Sequence, residues 1–168
     1  ELGVHNGNTS LLIKKILDIF DNKKKLFLLD HFKGLNNFQK KDTLISQKYH
    51  GKYKGKKEKI KLFLNFFKFK NVKIISKDAT KLKKGFFKKK KFSLAYFDMD
   101  LYLPTINGLN AISKNMSVGS LIIFDQGLSK KWSEGIAANE FLKKNKNFTK
   151  IIISNERQPS LILKKDKP

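Results

Sequence analysis

Short apolar runs alternate along the chain with longer stretches in which apolar residues recur at helical spacing. The runs at Leu26–Leu29, Val72–Ser76, Phe92–Phe97, Ser120–Phe124, Phe148–Ser154 and Leu161–Lys164 predict six strands. Most are apolar at successive positions, as strands covered by helices on both faces should be. Between them, Leu12, Ile16, Ile19 and Phe20 follow i, i+4, i+7, i+8 spacing and predict an amphipathic helix capped by Thr9 or Ser10. Ile60, Phe63, Leu64 and Phe67 predict a second helix. Leu109, Ile112 and Met116 predict a third, with Pro104 suited to its first turn, and Ala137 and Phe141 lie in a fourth that starts after Gly135. This alternation predicts an α/β fold built on an open, mostly parallel sheet, in a single domain spanning residues 1–168. Only the short "NERQP" separates the last two strands, so they are expected to form a C-terminal antiparallel hairpin. Residues 36–59 are polar, Lys-rich and without apolar period. They are expected to form a long loop, with room for one short helix, that serves as a lid or substrate loop.

Charge complicates this picture. The 168 residues include 37 Lys and Arg against 14 Asp and Glu, a formal net charge of +23. Such a balance suits a polyanionic partner. Yet Arg157 is the sole arginine, and the planar fork that reads bases and clamps phosphates is therefore nearly absent. The lysine runs fall in separate loops and helix ends, which points to a solvated surface and away from nucleic acid as the partner, leaving an anionic substrate or a membrane surface open. The chain has no cysteine, so disulfides and thiolate metal sites are excluded and a reducing, cytoplasmic setting is expected. No apolar run approaches the roughly 20 residues that cross a bilayer, so no membrane span is expected.

The candidate chemistry lies at the ends of the predicted strands, where open α/β sheets receive their ligands. "ELGVHNGNTS" places Glu1, Gly3, Gly7 and Thr9 before the first helix, in a turn that is neither a dinucleotide fingerprint nor a P-loop. Asp30 ends one strand, where a carboxylate can take the two hydroxyls of a ribose; a turn or cap role accounts for it equally well. Asp78 and Ala79 end the next, where an acid and the following backbone can read an adenine edge. In "YFDMDLY", Asp98 and Asp100 fall on one face if the chain stays extended, and "LIIFDQG" adds Asp125 and Gln126 on the following strand. Two carboxylates and an amide oxygen make a hard donor set suited to Mg²⁺. A D-x-D pair also occurs in dehalogenase-type phosphatases, but there it follows the first strand. In metal-dependent glycosyltransferases it chelates a sugar-nucleotide diphosphate, which is the main alternative function, with a Lys-rich nucleic-acid-binding module as another. His5, His31 and His50 show no ligand spacing, and Trp132 is expected to pack.

Taken in order, "E-x-G-V-x-x-G-x-T-S" (1–10), "D-x-F-x-G-L" (30–35), "D-x-D-L-Y-x-P-T" (98–105), "G-x-x-I-x-F-D" (119–125) and "E-G-x-A-x-x-E-F" (134–141) resemble the macrocin O-methyltransferase family. These are class I S-adenosylmethionine-dependent enzymes that methylate sugar hydroxyls, often with Mg²⁺. The resemblance implies a Rossmann-like sheet and an acceptor hydroxyl on a sugar or glycosylated small molecule. It assigns Glu1, Gly3, Gly7 and Thr9 to the loop around the methionine part of the cofactor, Asp30 to the ribose, and Asp78 and Ala79 to the adenine. It makes Asp98, Asp125 and Gln126 metal ligands, with Asp98 also the candidate base. The family often has a second acid where this chain has the uncharged Gln126, and writes Gly–Glu where this chain has Glu134–Gly135. In class I methyltransferases the central first strand ends at the acid that is residue 1 here. The chain is therefore expected to be truncated and to lack that strand.

Overall fold

The computed structural model describes residues 1–21, 23–153 and 158–168. In chain order the elements are α1 (Asn8–Phe20), β1 (Leu26–Asp30), α2 (Leu44–Gln47), α3 (Lys57–Phe66), β2 (Val72–Ser76), β3 (Phe92–Phe97), α4 (Tyr102–Ile112), β4 (Met116–Phe124), α5 (Glu134–Lys144), β5 (Phe148–Ile152) and β6 (Leu161–Lys165). All six expected strands are present. β4 begins earlier than its apolar run, because Met116 closes a 3₁₀ turn after α4 and starts the strand instead of continuing the helix. β5 stops at Ile152, and Ser154 and most of the "NERQP" connection lie outside the described residues.

β1 and β2 pair in parallel, as do β3 and β4; β6 runs antiparallel to both β4 and β5, which makes the expected hairpin. The two groups of strands meet at Leu2, which bridges in parallel to Leu29 on β1 and to Phe97 on β3. Its position gives the sheet the order β2, β1, Leu2, β3, β4, β6, β5. Leu2 thus occupies the place of the expected central strand. Below it, Phe27, Phe92, Leu94 and Ala95 line a strand-wide slot of about 340 Å³. The slot explains why Leu94 is 39% exposed on an otherwise apolar strand.

One core cluster gathers Phe97, Phe124, Ile122, Leu109, Phe141 and Leu161 between the sheet, α4 and α5. The rings of Phe97 and Phe124 stand 5.3 Å apart, and neither has any exposed surface. A smaller cluster joins Val4, Leu26, Leu28 and Ile60, with Ile13 and Leu17 of α1 against it. Here the expected stripe is overturned. Leu12, Ile16, Ile19 and Phe20 face outward, Phe20 at 83% exposure, while Ser10, Ile13, Lys14 and Leu17 turn inward. The inward set has helical spacing too, and Lys14 tolerates burial because its ammonium pairs with Asp18 one turn on. The expected cap also differs. Gly7 precedes the helix with no side-chain cap, and the Ser10 hydroxyl donates to the Glu1 carboxylate instead. α5 likewise starts at Glu134, one residue before Gly135.

This burial pattern sets opposite expectations for two groups of apolar side chains. Phe97→Ala should cost about 3–5 kcal/mol in urea denaturation, because the pocket between Phe124, Leu2 and α4 cannot close. Ile19→Ser and Phe20→Ser should change stability by no more than about 0.5 kcal/mol.

Candidate active site

The carboxyl ends of β1, β3 and β4 open into a cleft of about 340 Å³. Gly3, Asp30, Asp78 and Ala79 line one side, and Asp98, Asp100, Asp125 and Gln126 line the floor. His5, Tyr53, Lys131 and Trp132 form the outer wall. Three expected cofactor residues, Glu1, Gly7 and Thr9, are not among the lining residues. Glu1 is drawn into the sheet, its main-chain nitrogen donating to Phe27 O and its carbonyl accepting from Leu29 N. Gly3 needs its left-handed φ of 84°, and a Cβ there would lie 1.8 Å from Asp98 O. Chains on either side of the cleft floor touch at that glycine.

Asp30 is more occupied than its place at a strand end suggests. One of its oxygens accepts from the Val4 and His5 amides, each at 2.8 Å, and the other from the Phe32 amide at 2.6 Å. A carboxylate offers about four lone-pair positions, so one is left for a ligand hydroxyl. Asp78 accepts from the Thr80 amide and hydroxyl and so caps the short 3₁₀ turn that begins at Ala79.

Asp98 and Asp100 do face the same cleft, but not because the chain stays extended. β3 ends at Phe97, and Asp100 sits in the left-handed region at φ 61°. The turn is held by Glu134, a residue whose role the sequence does not single out. Its buried carboxylate accepts from Met99 N at 2.7 Å, Asp100 N at 3.2 Å and Gln126 N at 3.0 Å. One side chain from the start of α5 thereby ties together the loops after β3 and β4. Tyr96 is a second unannounced contributor: its hydroxyl donates to Asp125, and burial and this bond hold the phenol protonated. The sequence signals for Glu134 are the "E-G-x-A-x-x-E-F" motif that it opens and its place at the first position of a helix after a strand-end loop; neither reveals which amides it binds.

The floor is electrostatically loaded. Burial, then the charges of Asp100 and Asp125, push Asp98 up to about 8. Burial and Asp125 push Asp100 up to about 7, against the pull of Lys131. Burial, followed by Asp100 and Asp98, raises Glu134 well above the usual carboxylate range. Among the described residues no three histidine, cysteine or carboxylate side chains form a metal-ligand group.

The 36–59 segment is anchored over this site. Asp42, buried at 5% exposure, accepts from the Tyr102 amide at the start of α4 and from the Gln39 amide. Thr43 donates to Lys131 O and caps α2, and Ser133 donates to Lys41 O. The segment contains the one short helix expected of it, and α3 takes over from residue 57.

Two outcomes follow from the floor. The raised acids bind protons in the folded state that they release on unfolding. Their stabilising contribution is therefore full below about pH 4 and is lost as pH rises through about 7 to 8. The melting temperature of the ligand-free protein should fall between about pH 5.5 and 8.5. Asp98→Asn should flatten that slope. Glu134→Gln should cost about 1–3 kcal/mol, because the amide NH₂ must face a buried N–H donor that loses its acceptor. Denaturant midpoints of the two proteins at one pH measure this.

Several solved structures share the fold. CalS11, described as a calicheamicin methyltransferase, superposes with a TM-score of 0.79 at 19% identity, over 98% of this chain and 70% of that one. The O-methyltransferase NovP gives 0.77 at 16% identity, over 99% and 70%. A methyltransferase-like protein from Streptococcus mutans, solved with S-adenosylhomocysteine, gives 0.59 at 14%, over 96% and 84%. No curated protein sequence matches significantly. Among the described residues no helix is long and apolar enough to cross a membrane. Residues 1–155 match the Macrocin-O-methyltransferase (TylF) family along nearly their whole length, which sets the D-x-D glycosyltransferase alternative aside: the chain belongs to the TylF macrocin O-methyltransferase family.

Proposed function

We propose that this enzyme transfers the methyl group of S-adenosylmethionine to a hydroxyl of a sugar or glycosylated small molecule, with Asp98 taking the hydroxyl proton. One observation carries the reading. The expected ribose and adenine residues, Asp30, Asp78 and Ala79, open on the same cleft as the acids Asp98, Asp100 and Asp125. The cleft lies at the strand ends where such sheets receive ligands. The sugar acceptor is supported by structural neighbours, one of which is a TDP-rhamnose 3'-O-methyltransferase.

S-adenosylmethionine, when bound, supplies an electrophilic methyl carbon on sulfonium sulfur. The chain's residues fit it: Asp30 keeps a free acceptor position and Gly3 contributes no side chain to the cleft. The acceptor hydroxyl is a poor nucleophile at neutral pH. Asp98, on the cleft floor, accepts its proton as the new C–O bond forms and the C–S bond breaks. Tyr53 and Trp132 line the same cleft, and the 36–59 segment is the acceptor-side loop of this reading. Asp98, Asp125 and Gln126 supply the oxygen donors for Mg²⁺, which is commonly held by one or two carboxylates with waters and substrate oxygens completing its shell. Bound there, the ion would acidify the acceptor hydroxyl.

Calorimetry with S-adenosylhomocysteine and turnover of TDP-rhamnose test the proposal. Asp98→Asn should bind S-adenosylhomocysteine within about twofold of the parent and lose at least about 100-fold in turnover. Unchanged turnover would remove Asp98 as the base. Asp125→Asn should raise the Mg²⁺ concentration giving half-maximal rate, and a rate indifferent to EDTA would remove the metal.

A further inference from the structure

Three residues that line one cleft, His5, Tyr53 and Asp100, hold left-handed φ values of 49°, 58° and 61°, and Phe32, next to the cleft residue His31, holds 62°. Such conformations are unfavourable for residues other than Gly, Asn and Asp, and they gather at functional sites when the surrounding structure enforces them. Asp100 is explained by the floor, and His5 and Phe32 by the amides they offer Asp30. Tyr53 is not explained this way. The residue is 46% exposed, so burial does not hold it in place.

What holds Tyr53 is the backbone on both sides. Lys52 O accepts from Leu35 N at 2.9 Å, and Gly51 N donates to Leu35 O at 2.8 Å. Two residues past the tyrosine, Gly55 packs so closely that a Cβ would lie 2.1 Å from His5 O. The ring that this turn presents lies nearly parallel to Tyr49 and meets Trp132 edge-on, 6.3 Å between centroids. Lys131 sits over the Tyr49 ring at 3.9 Å and over Trp132 at 4.6 Å, with its ammonium beside the cleft. A half-exposed aromatic face fixed by strained backbone, opposite a floor of carboxylates, matches an amphipathic ring: C–H bonds on one face and hydroxyls at the edge.

We propose that Tyr53 is the stacking platform for the pyranose ring of the acceptor and sets its specificity, with Trp132 and Tyr49 bracing it. The ring lies against Tyr53 with its edge hydroxyls turned to Asp98 and Asp100, and Lys131 faces whatever anionic group the sugar carries. This rests on the methyl-transfer reading and deepens it, since it names the part of the acceptor that the protein grips.

The test uses the full-length protein saturated with S-adenosylhomocysteine. TDP-rhamnose, TDP-glucose, their methyl glycosides and TDP alone are titrated by calorimetry and by the fluorescence of Trp132, the sole tryptophan. Tyr53→Asn keeps a residue that accepts the left-handed backbone but removes the ring, and Tyr53→Phe keeps the ring. Tyr53→Asn is expected to weaken sugar binding at least about tenfold and to leave S-adenosylhomocysteine binding within about twofold. Tyr53→Phe should bind like the parent. Binding of nucleotide sugars alone, lost in Lys131→Ala, and binding of the simple glycosides as well both support the platform; they differ in whether a phosphate shares the grip. The platform is overturned if Tyr53→Asn binds sugars as the parent does, if TDP alone accounts for all the affinity, or if S-adenosylhomocysteine binds and no sugar does. A folded parent that fails to bind S-adenosylhomocysteine overturns the methyl-transfer reading itself.

Discussion

The buried Glu134 carboxylate is the point on which the site depends. Three backbone amides from the loops after β3 and β4 converge on its two oxygens. They fix the turn at Met99 and Asp100 together with the bonds from Leu101 N to Met99 O and from Ser133 N to Asp100 O, while Asp98 and Asp125 are placed by their amides on Leu2 O and Phe97 O. The bonds to Glu134 oppose a large desolvation cost, because a carboxylate with no exposed surface loses its water entirely. The amide hydrogen bonds favour the ionised form, but burial outweighs them and holds Glu134 well above the usual carboxylate range.

Above that anchor the acids repel one another. Each of Asp98, Asp100 and Glu134 is raised by burial first and by its neighbours' charge second. In a fold with a formal charge of +23, negative charge concentrated in one cleft is a local arrangement that opposes the whole. Such a floor suits a reaction that needs a proton acceptor near neutral pH, and it attracts cationic ligands such as a sulfonium. Apart from the buried Lys14 and Lys165, most lysines stay on the outside. Lys77 and Lys131 line the cleft with the acids, and Lys131 is parked on aromatic faces, where the ring quadrupole stabilises its charge.

The walls depend on a different physics. Residues 36–59 carry little apolar surface to bury and are held by side-chain-to-backbone bonds at Asp42, Thr43 and Ser133. A segment held in this way keeps its aromatic side chains available. Tyr53 therefore lines the cleft, with Tyr49 stacked on it, and neither is drawn into the core as Phe97 of β3 and Phe124 of β4 are.

Much of this was legible in the order of residues. Strand positions follow from short apolar runs, most of them apolar at successive positions as a strand covered on both faces must be, although β5 proves largely exposed. The strand-end acids were legible as a set, because acids at the ends of consecutive strands favour a site where a single one is commonly a turn or cap. Helix faces were not. In α1 two residue sets have helical spacing, and only packing against Ile60 and Leu26 decides that Ile13 and Leu17 turn inward while Leu12 and Phe20 face out. Nor did the sequence reveal which acid organises the others. Glu134 lies 34 residues from Asp100, and the three amides it binds come from two separate loops. Local sequence determines what each segment prefers to be, because backbone and burial preferences act over a few residues. Which carboxylates share one pocket, and which residue holds them there, was decided only when β3, β4 and α5 packed together, because hydrogen bonds between distant segments exist only in the folded chain.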